Sequence, residues 1–358
     1  MSMHRNSDVL RLAFVVPMQG TAGIYGPSCL ACGTLAVERL NAGDGIGGRT
    51  VELTMVDAGR EPRQVASEVA RLVRSGAVHG IAGWHTSAVR TAITRAIGGQ
   101  VAYAFCAMHE GWDATPGVYM IGERPGNQLL PAMRWLSENV GAKRWAVVGN
   151  DYVFPRITAR TAQLGLHGTS SRISAEYFLP LGTQDFGTIL PAVERDEVDG
   201  VLMLLIGHDA IEFNRQFAQR GLDEKLLRLS TVLDENALLG AGAAANKEVY
   251  ASAAYFDTSE EPVADDFCVN YYRRFGQFAP PLNAIGESCY ESIMFLARLG
   301  SETGSLDLAD VREIPEGKFF ESPRGLQRMN GNLVDQDVHI AKADALRFRV
   351  LERISTAG

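Results

Sequence analysis

The residues of this chain best suited to chemistry follow short apolar runs. The run from Val78 to Ala82 leads into Trp84, His85, Thr86 and Ser87. The run from Val101 to Phe105 leads into Ala107, Met108, His109, Glu110 and Trp112. Later runs end in Tyr152 and Phe154, in His208 and Asp209, and in Asp234. His85, His109 and His208 would make a metal centre if they converged, but no spacing among them matches a metal-ligand pattern, so no metal or cofactor is assigned. A His beside Asp209 or Asp234 would make an acid/base pair. No activated nucleophile stands nearby, so no enzyme is assigned. Ser87 opens a helical pattern, where a hydroxyl caps the helix and the free N–H groups beside it can receive a carboxylate or carbonyl. Aromatic walls with a few polar groups describe a small-molecule pocket.

Two further motifs lose their chemical reading in context. Cys29 and Cys32 spell C-x-x-C, but no second pair accompanies them among the five cysteines. They lie in the apolar helical run SCLACGTLAVERLN and read as buried free thiols. Gly43, Gly45 and Gly48 spell G-x-G-x-x-G, but they follow a helix and precede a strand. A dinucleotide fingerprint has the reverse polarity, so these glycines read as a turn.

The elements that must position these residues alternate along the whole chain. Strand patterns at Leu10–Pro17, Thr50–Asp57, Val78–Ala82 and Val101–Phe105 are separated by helical ones, and the cycle repeats from Arg144 onward. Such alternation implies α/β architecture: parallel sheets covered on both faces, here two doubly wound, Rossmann-like lobes. Ligands bind beyond the carboxyl ends of such strands, where the residues named above lie. At 358 residues and 46% hydrophobic content the chain has enough material for two domains. A net charge of −8 and the lack of a Lys/Arg-rich run argue against direct nucleic-acid binding. No run reaches the length of a membrane helix. As written the chain reads as cytoplasmic, and as periplasmic or lipoprotein-anchored if a leader has been removed.

From Leu12 to about Leu346 the chain resembles the type I periplasmic-binding-protein family, in its Leu/Ile/Val-binding branch. The segments LAVERLNAGDGIGGRTVEL, VDAGREP and FNRQFAQRGL carry that likeness. Within the branch AGWHTSAVR, FCAMHEGW, GERPGNQ, VVGNDYVFPR and AAYFDTSEEPVADDFCVNYYRRF are most similar to the amide-sensing regulators of amidase operons and the urea and short-chain amide binders. The resemblance implies two lobes joined by a three-crossover hinge. Residues 1–122 plus 252–320 form the first lobe, and 123–251 plus 321–358 the second. It implies ligand contacts at His85, Ser87, Ala107, Tyr152 and His208; Thr86, Phe105 and Met108 are candidate contacts from their place at the same strand ends, and Asp209, Asp234 or Glu110 is available to an ammonium. His85 replaces the usual Tyr, Ala107 the usual Thr, and His208 a small hydroxyl residue. The lost hydroxyl at Ala107 disfavours the smallest amides and leaves room for a larger amide, a urea-like compound, a heterocyclic nitrogen compound or an amino acid. The implied role is a non-catalytic sensor that closes over such a ligand and regulates amide use through a partner protein. The alternative is the solute-binding component of an ABC transporter, with a membrane permease as partner. A homodimer is left open.

Overall fold

The alternation folds into two lobes, each built on its own sheet. The computed structural model describes residues 8–111, 113–259, 261–311 and 317–355. The first lobe begins with β1 (Val9–Val16), β2 (Thr50–Asp57), β3 (Gly80–Gly83), β4 (Ala102–Phe105) and β5 (Val118–Met120). The second is built on β6 (Arg144–Asn150), β7 (Arg172–Leu179), β8 (Gly200–Leu204), β9 (Leu227–Ser230) and β10 (Val249–Ala253). All pairings among β1–β5, and all among β6–β10, are parallel. β3, β4, β8 and β9 are buried along their whole length, because helices cover both sheet faces.

The C-terminal segment adds the antiparallel part: β11 (Phe319–Ser322), β12 (Gly325–Asn330), β13 (Leu333–Gln336), β14 (Val338–Asp344) and β15 (Arg347–Ile354). The strand orders are β11-β12-β13-β5-β4-β3-β1-β2 and β15-β14-β10-β9-β8-β6-β7. This corrects the expected lobe boundary. Residues from 321 were assigned to the second lobe, yet β12 and β13 extend the first sheet. The third crossing therefore lies at Asp337, between β13 and β14. Asn332 explains the choice of edge. Its carbonyl accepts the Met120 N–H at 2.8 Å, and its amide donates to the Val118 carbonyl at 3.0 Å. The free edge of β5 is thereby covered.

The Gly43-x-Gly45 stretch is a helix-to-strand turn. Gly45 has φ +66°, and a Cβ there would lie 1.9 Å from the Arg49 carbonyl oxygen. The short helix before β8 spans Leu190–Arg195 and does not extend back to Phe186. The Phe186 N–H is committed to the Gln216 side chain at 2.8 Å.

A buried polar cluster joins the three crossings. The Glu123 carboxylate, in the first, accepts the Ala254 N–H of the second at 2.9 Å. The Gln128 amide donates to the carbonyls of Thr231 (2.9 Å) and Ser252 (2.6 Å). Arg324 lies 2.5 Å from Glu287, 3.7 Å from Glu123 and 3.4 Å from Gln336, beside the third crossing. Glu123, Glu287 and Glu291 share this guanidinium, with Arg298 3.7 Å from Glu291 as the other cation. Burial pushes the Glu287 carboxyl up to about 8.

Candidate functional site

The carboxyl ends of β1, β3 and β4 face those of β6, β8 and β9, and the lobes touch there. The Gly207 N–H donates to the Tyr25 hydroxyl at 2.6 Å, and the His208 N–H to the Thr21 carbonyl at 3.1 Å. Phe154, Ile206 and Val232 of the second lobe pack into the first lobe's core. At the inner end, a cavity of about 10 Å³ lies among Trp84, Met108, Gln128, Thr231, Asp234 and Arg324, enough for about one water.

Ser87 is the first residue of the Ser87–Ile97 helix and is 2% exposed. The helix is capped by Thr86, whose Oγ1 accepts the Val89 N–H at 3.5 Å. Thr86 thus takes the role expected of Ser87, and the buried Ser87 hydroxyl has no partner among the described residues. The first-turn N–H groups of Ser87 and Ala88 have no intrahelical acceptor. Hydroxyl, N–H groups and the positive end of the helix dipole are groups of the kind that can receive a negative oxygen.

Two more buried polar atoms at the strand ends lack partners among the described residues: Trp84 Nε1 and Thr231 Oγ1. Tyr25 holds the Trp84 ring edge-to-face at 5.0 Å. Tyr152 precedes the Val153–Gly165 helix and packs across the cleft on the first lobe. Burial, with the nearby Glu110, raises its phenol well above the ordinary range. Glu110 accepts from Arg90 at 2.9 Å with one oxygen, and its other oxygen is buried with no partner among the described residues. Arg90 also reaches Asp113 at 2.5 Å. Asp234 caps the Glu235–Ala241 helix, accepting the Ala237 N–H at 3.0 Å, and burial pushes its carboxyl up to about 7.

Other expected contacts point elsewhere. His85 donates from Nδ1 to the Val15 carbonyl at 3.0 Å, and its Nε2 accepts from the Tyr103 hydroxyl, so it presents no free polar atom. His109 is consumed likewise, accepting the Gly111 N–H at 3.1 Å and donating to the Gly122 carbonyl at 3.1 Å. Asp209 accepts from Asn150 at 2.6 Å and from the Gly182 N–H at 2.9 Å, which makes it a structural carboxylate. The His208 side chain is exposed, and Phe105 lies beneath His85 and Arg90 in the core. Ala107 is buried and apolar, while Met108 lines the cavity. Trp112 lies outside the described residues. No three or more His, Cys, Asp or Glu residues form a metal-holding group among the described residues. All five cysteines are free, with Cys29 and Cys32 buried as expected. Tyr25 and Thr231 were not singled out in the sequence. The aromatic in the glycine-rich loop QGTAGIYG after β1 was the signal available for Tyr25.

A stability profile in pH follows. Burial lowers His85 and His109 to about 3 from an ordinary 6.5. Their contribution is full above pH 6.5 and is lost as pH falls, at up to ~1.4 kcal/mol per pH unit each. Asp234 and Glu287 are raised, so theirs is full below their ordinary values of 3.8 and 4.5 and is lost as pH rises towards 7 and 8. The two trends offset each other between about pH 4.5 and 6.5. A melting-temperature series should show a plateau there with losses on both sides. A steady rise to alkaline pH would contradict these assignments.

The sequence model for periplasmic binding proteins matches residues 9–346. Solved structures share the fold. A solute binding protein of an ABC transporter from Rhodopseudomonas palustris BisB5, in complex with 3,4-dihydroxybenzoic acid, superposes with TM-score 0.84 at 20% identity over 98% of both chains. A second from R. palustris HaA2, with p-hydroxybenzoic acid, gives 0.85 at 18% identity over 97% of both. The branched-chain amino acid binding protein LivJ of Streptococcus pneumoniae, with isoleucine, gives 0.84 at 17% identity, covering 97% of this chain and 99% of that one.

Proposed function

We propose a function that proceeds from one premise: this chain belongs to the type I periplasmic binding proteins, in their Leu/Ile/Val-binding family, a group of solute binders rather than enzymes. The protein is the solute-binding component of an ABC-type uptake system, working outside the cytoplasmic membrane and delivering its solute to a permease. It closes its lobes over a small carboxylate-bearing solute. The observation that carries this reading is the buried, partnerless Ser87 hydroxyl beside free helix N–H groups. A carboxylate satisfies all of these donors at once. Support comes from the structural neighbours, since isoleucine and the hydroxybenzoates have the carboxylate in common. Trp84 and Tyr25 supply the aromatic wall, and Asp234 with the unpaired Glu110 oxygen can receive an ammonium. Ligand contacts made only when the lobes meet stabilise the closed state. The amide-sensing role rests on sequence segments alone, and Ala107 offers a neutral amide no hydrogen bond.

A thermal-shift and calorimetric panel of isoleucine, 4-hydroxybenzoate, acetamide and urea tests the reading. The carboxylates should raise the melting temperature and the neutral compounds should not. Ser87→Ala should weaken the carboxylate by about 10- to 100-fold, matching ~1.5–3 kcal/mol for a charge-assisted hydrogen bond. Binding of acetamide or urea alone would reinstate the amide sensor. Undiminished carboxylate binding by Ser87→Ala would place the site elsewhere.

A further inference from the structure

At the inner end of the cleft each lobe brings one uncommitted polar side chain to the same small cavity. Trp84 lines it from the residue after β3, in the first lobe, and Thr231 from the residue after β9, in the second. Trp84 is 3% exposed and Thr231 4%, and neither Trp84 Nε1 nor Thr231 Oγ1 has a partner among the described residues. The other polar residues of the lining are engaged within the protein. Arg324 donates to Glu287, and Glu123 accepts the Ala254 N–H. The Gln128 amide donates to two carbonyls, and the Ser288 hydroxyl donates to the Ile285 carbonyl at 2.7 Å. Asp234 accepts the Ala237 N–H with one oxygen at 3.0 Å and the Asn236 amide with the other at 3.2 Å. The rest of the lining is aliphatic or sulfur-bearing.

The two uncommitted groups set the chemistry of an occupant. An indole N–H only donates, so the atom that meets Trp84 Nε1 must carry a lone pair. A threonine hydroxyl can donate or accept. An ammonium has donors and no lone pair, so beside Trp84 it would set donor against donor and leave a buried N–H unsatisfied. The carboxylates that could receive an ammonium do not alter this. Glu110 does not line the cavity, and both Asp234 oxygens are taken. A volume of about 10 Å³ admits one oxygen-sized atom. An uncharged oxygen meets every condition, accepting from Trp84 and sharing a hydrogen bond with Thr231. Ser87, with its buried hydroxyl, follows Trp84 in the same strand-to-helix loop, so one small solute can reach both.

We propose that the solute of this cleft is a carboxylic acid carrying a second, uncharged oxygen, as hydroxyl or ketone, and that Trp84 and Thr231 select it. This rests on the reading of the cleft as a carboxylate site. The carboxylate goes to Ser87. The second oxygen enters the inner cavity, accepts the Trp84 N–H and pairs with the Thr231 hydroxyl. Because Trp84 and Thr231 belong to different lobes, this oxygen gains both contacts only when the lobes are closed, and it favours closure.

Calorimetry on the full chain with matched probes tests this. Benzoate is compared with 3-hydroxybenzoate and 4-hydroxybenzoate, and leucine with the hydroxy acid and the oxo acid of its own carbon skeleton. In at least one set an oxygen-bearing acid should bind about ten-fold or more tightly than its counterpart, as one further buried hydrogen bond allows. Trp84→Phe keeps an aromatic ring without the N–H, and Thr231→Val keeps the branched shape without the hydroxyl. Each should cut that preference by at least about three-fold, a ratio that a general loss of stability would not move. The proposal is overturned if benzoate and leucine bind as tightly as their oxygen-bearing counterparts, in which case the cavity belongs to a water molecule. Full preference in either variant overturns it equally. Binding of none of the probes would instead remove the carboxylate reading of the cleft, and this proposal with it.

Discussion

Arg324→Met should destabilise the folded chain by about 3–5 kcal/mol, the range found when one partner of a buried ion pair is removed. The Arg324 side chain is 1% exposed and sits 2.5 Å from Glu287 and 3.7 Å from Glu123. Methionine fills much of the space but leaves both carboxyls without a cation in a site closed to water. The carboxyls then respond by holding protons more tightly. A carboxyl raised in the folded state contributes stability below its ordinary pKa and loses it as pH rises. Wild-type Glu287 loses its proton only near pH 8, so the deficit of the variant should be smallest near pH 5 and grow towards pH 9. Adding Glu287→Gln should recover part of it, because the amide needs no counter-charge. Urea unfolding of the four proteins of this cycle, at both pH values, measures each quantity. A deficit under 1 kcal/mol, or one that does not change with pH, would show that the guanidinium does not balance this cluster. Glu123 also receives the Ala254 N–H, so the same substitution should loosen the first two crossings against each other.

The division between what the residues foretell and what they do not follows the range of the interactions. Strands covered on both faces read as continuous apolar runs, so β3, β4 and β8 and the helices after them were visible in one dimension. The rule that ligands lie beyond the carboxyl ends of parallel strands then points to the loops at which the two lobes meet. It could not orient side chains within a loop. His85 and Ser87 are two residues apart in one such loop, yet Ser87 keeps a free hydroxyl while His85 is consumed. Val15, 70 residues away, and Tyr103, 18 residues away on β4, decide that, and no local pattern records them. Asp209 is likewise taken up by Asn150, 59 residues earlier, and Gly182, 27 residues earlier. Thr86 and Ser87 are both good caps by composition, and only the geometry shows which of them is left over for another partner. The C-terminal segment, placed by resemblance in the second lobe, is divided between the two sheets. Period-two alternation names a face, not an edge, and the edge was set by Asn332 reaching β5.

Gly207→Val should abolish ligand binding while leaving each lobe folded. Gly207 opens the Gly207–Gln219 helix with φ +52°, and its N–H meets the Tyr25 hydroxyl across the cleft at 2.6 Å. A Cβ on this residue would lie 1.9 Å from the Thr21 carbonyl oxygen, which belongs to the other lobe. No rotamer avoids that overlap, because the offending atom is the first of the side chain and the obstacle is backbone. The lobes must then stay apart by more than the width of the contact. If closure is disfavoured by about 2.7 kcal/mol or more, apparent affinity falls at least 100-fold, since only the closed fraction binds. The left-handed backbone adds a local cost of about 1–2 kcal/mol for any L side chain, which must be separated from the clash. Gly221→Ala is the control: φ is +72° there, just beyond the same helix, and nothing lies within 4 Å of the added Cβ. It should carry the same backbone strain and keep wild-type affinity. Calorimetry with a carboxylate that binds the wild type, together with small-angle scattering, reads both consequences. The Gly207 variant should lose binding and show a larger radius of gyration, with a melting temperature close to that of Gly221→Ala. Equal affinity in the two variants would mean that the ligand is held without the contact between Gly207 and the Thr21–Tyr25 loop. In that case the polar atoms of Ser87, Trp84 and Glu110 would act as a one-lobe site.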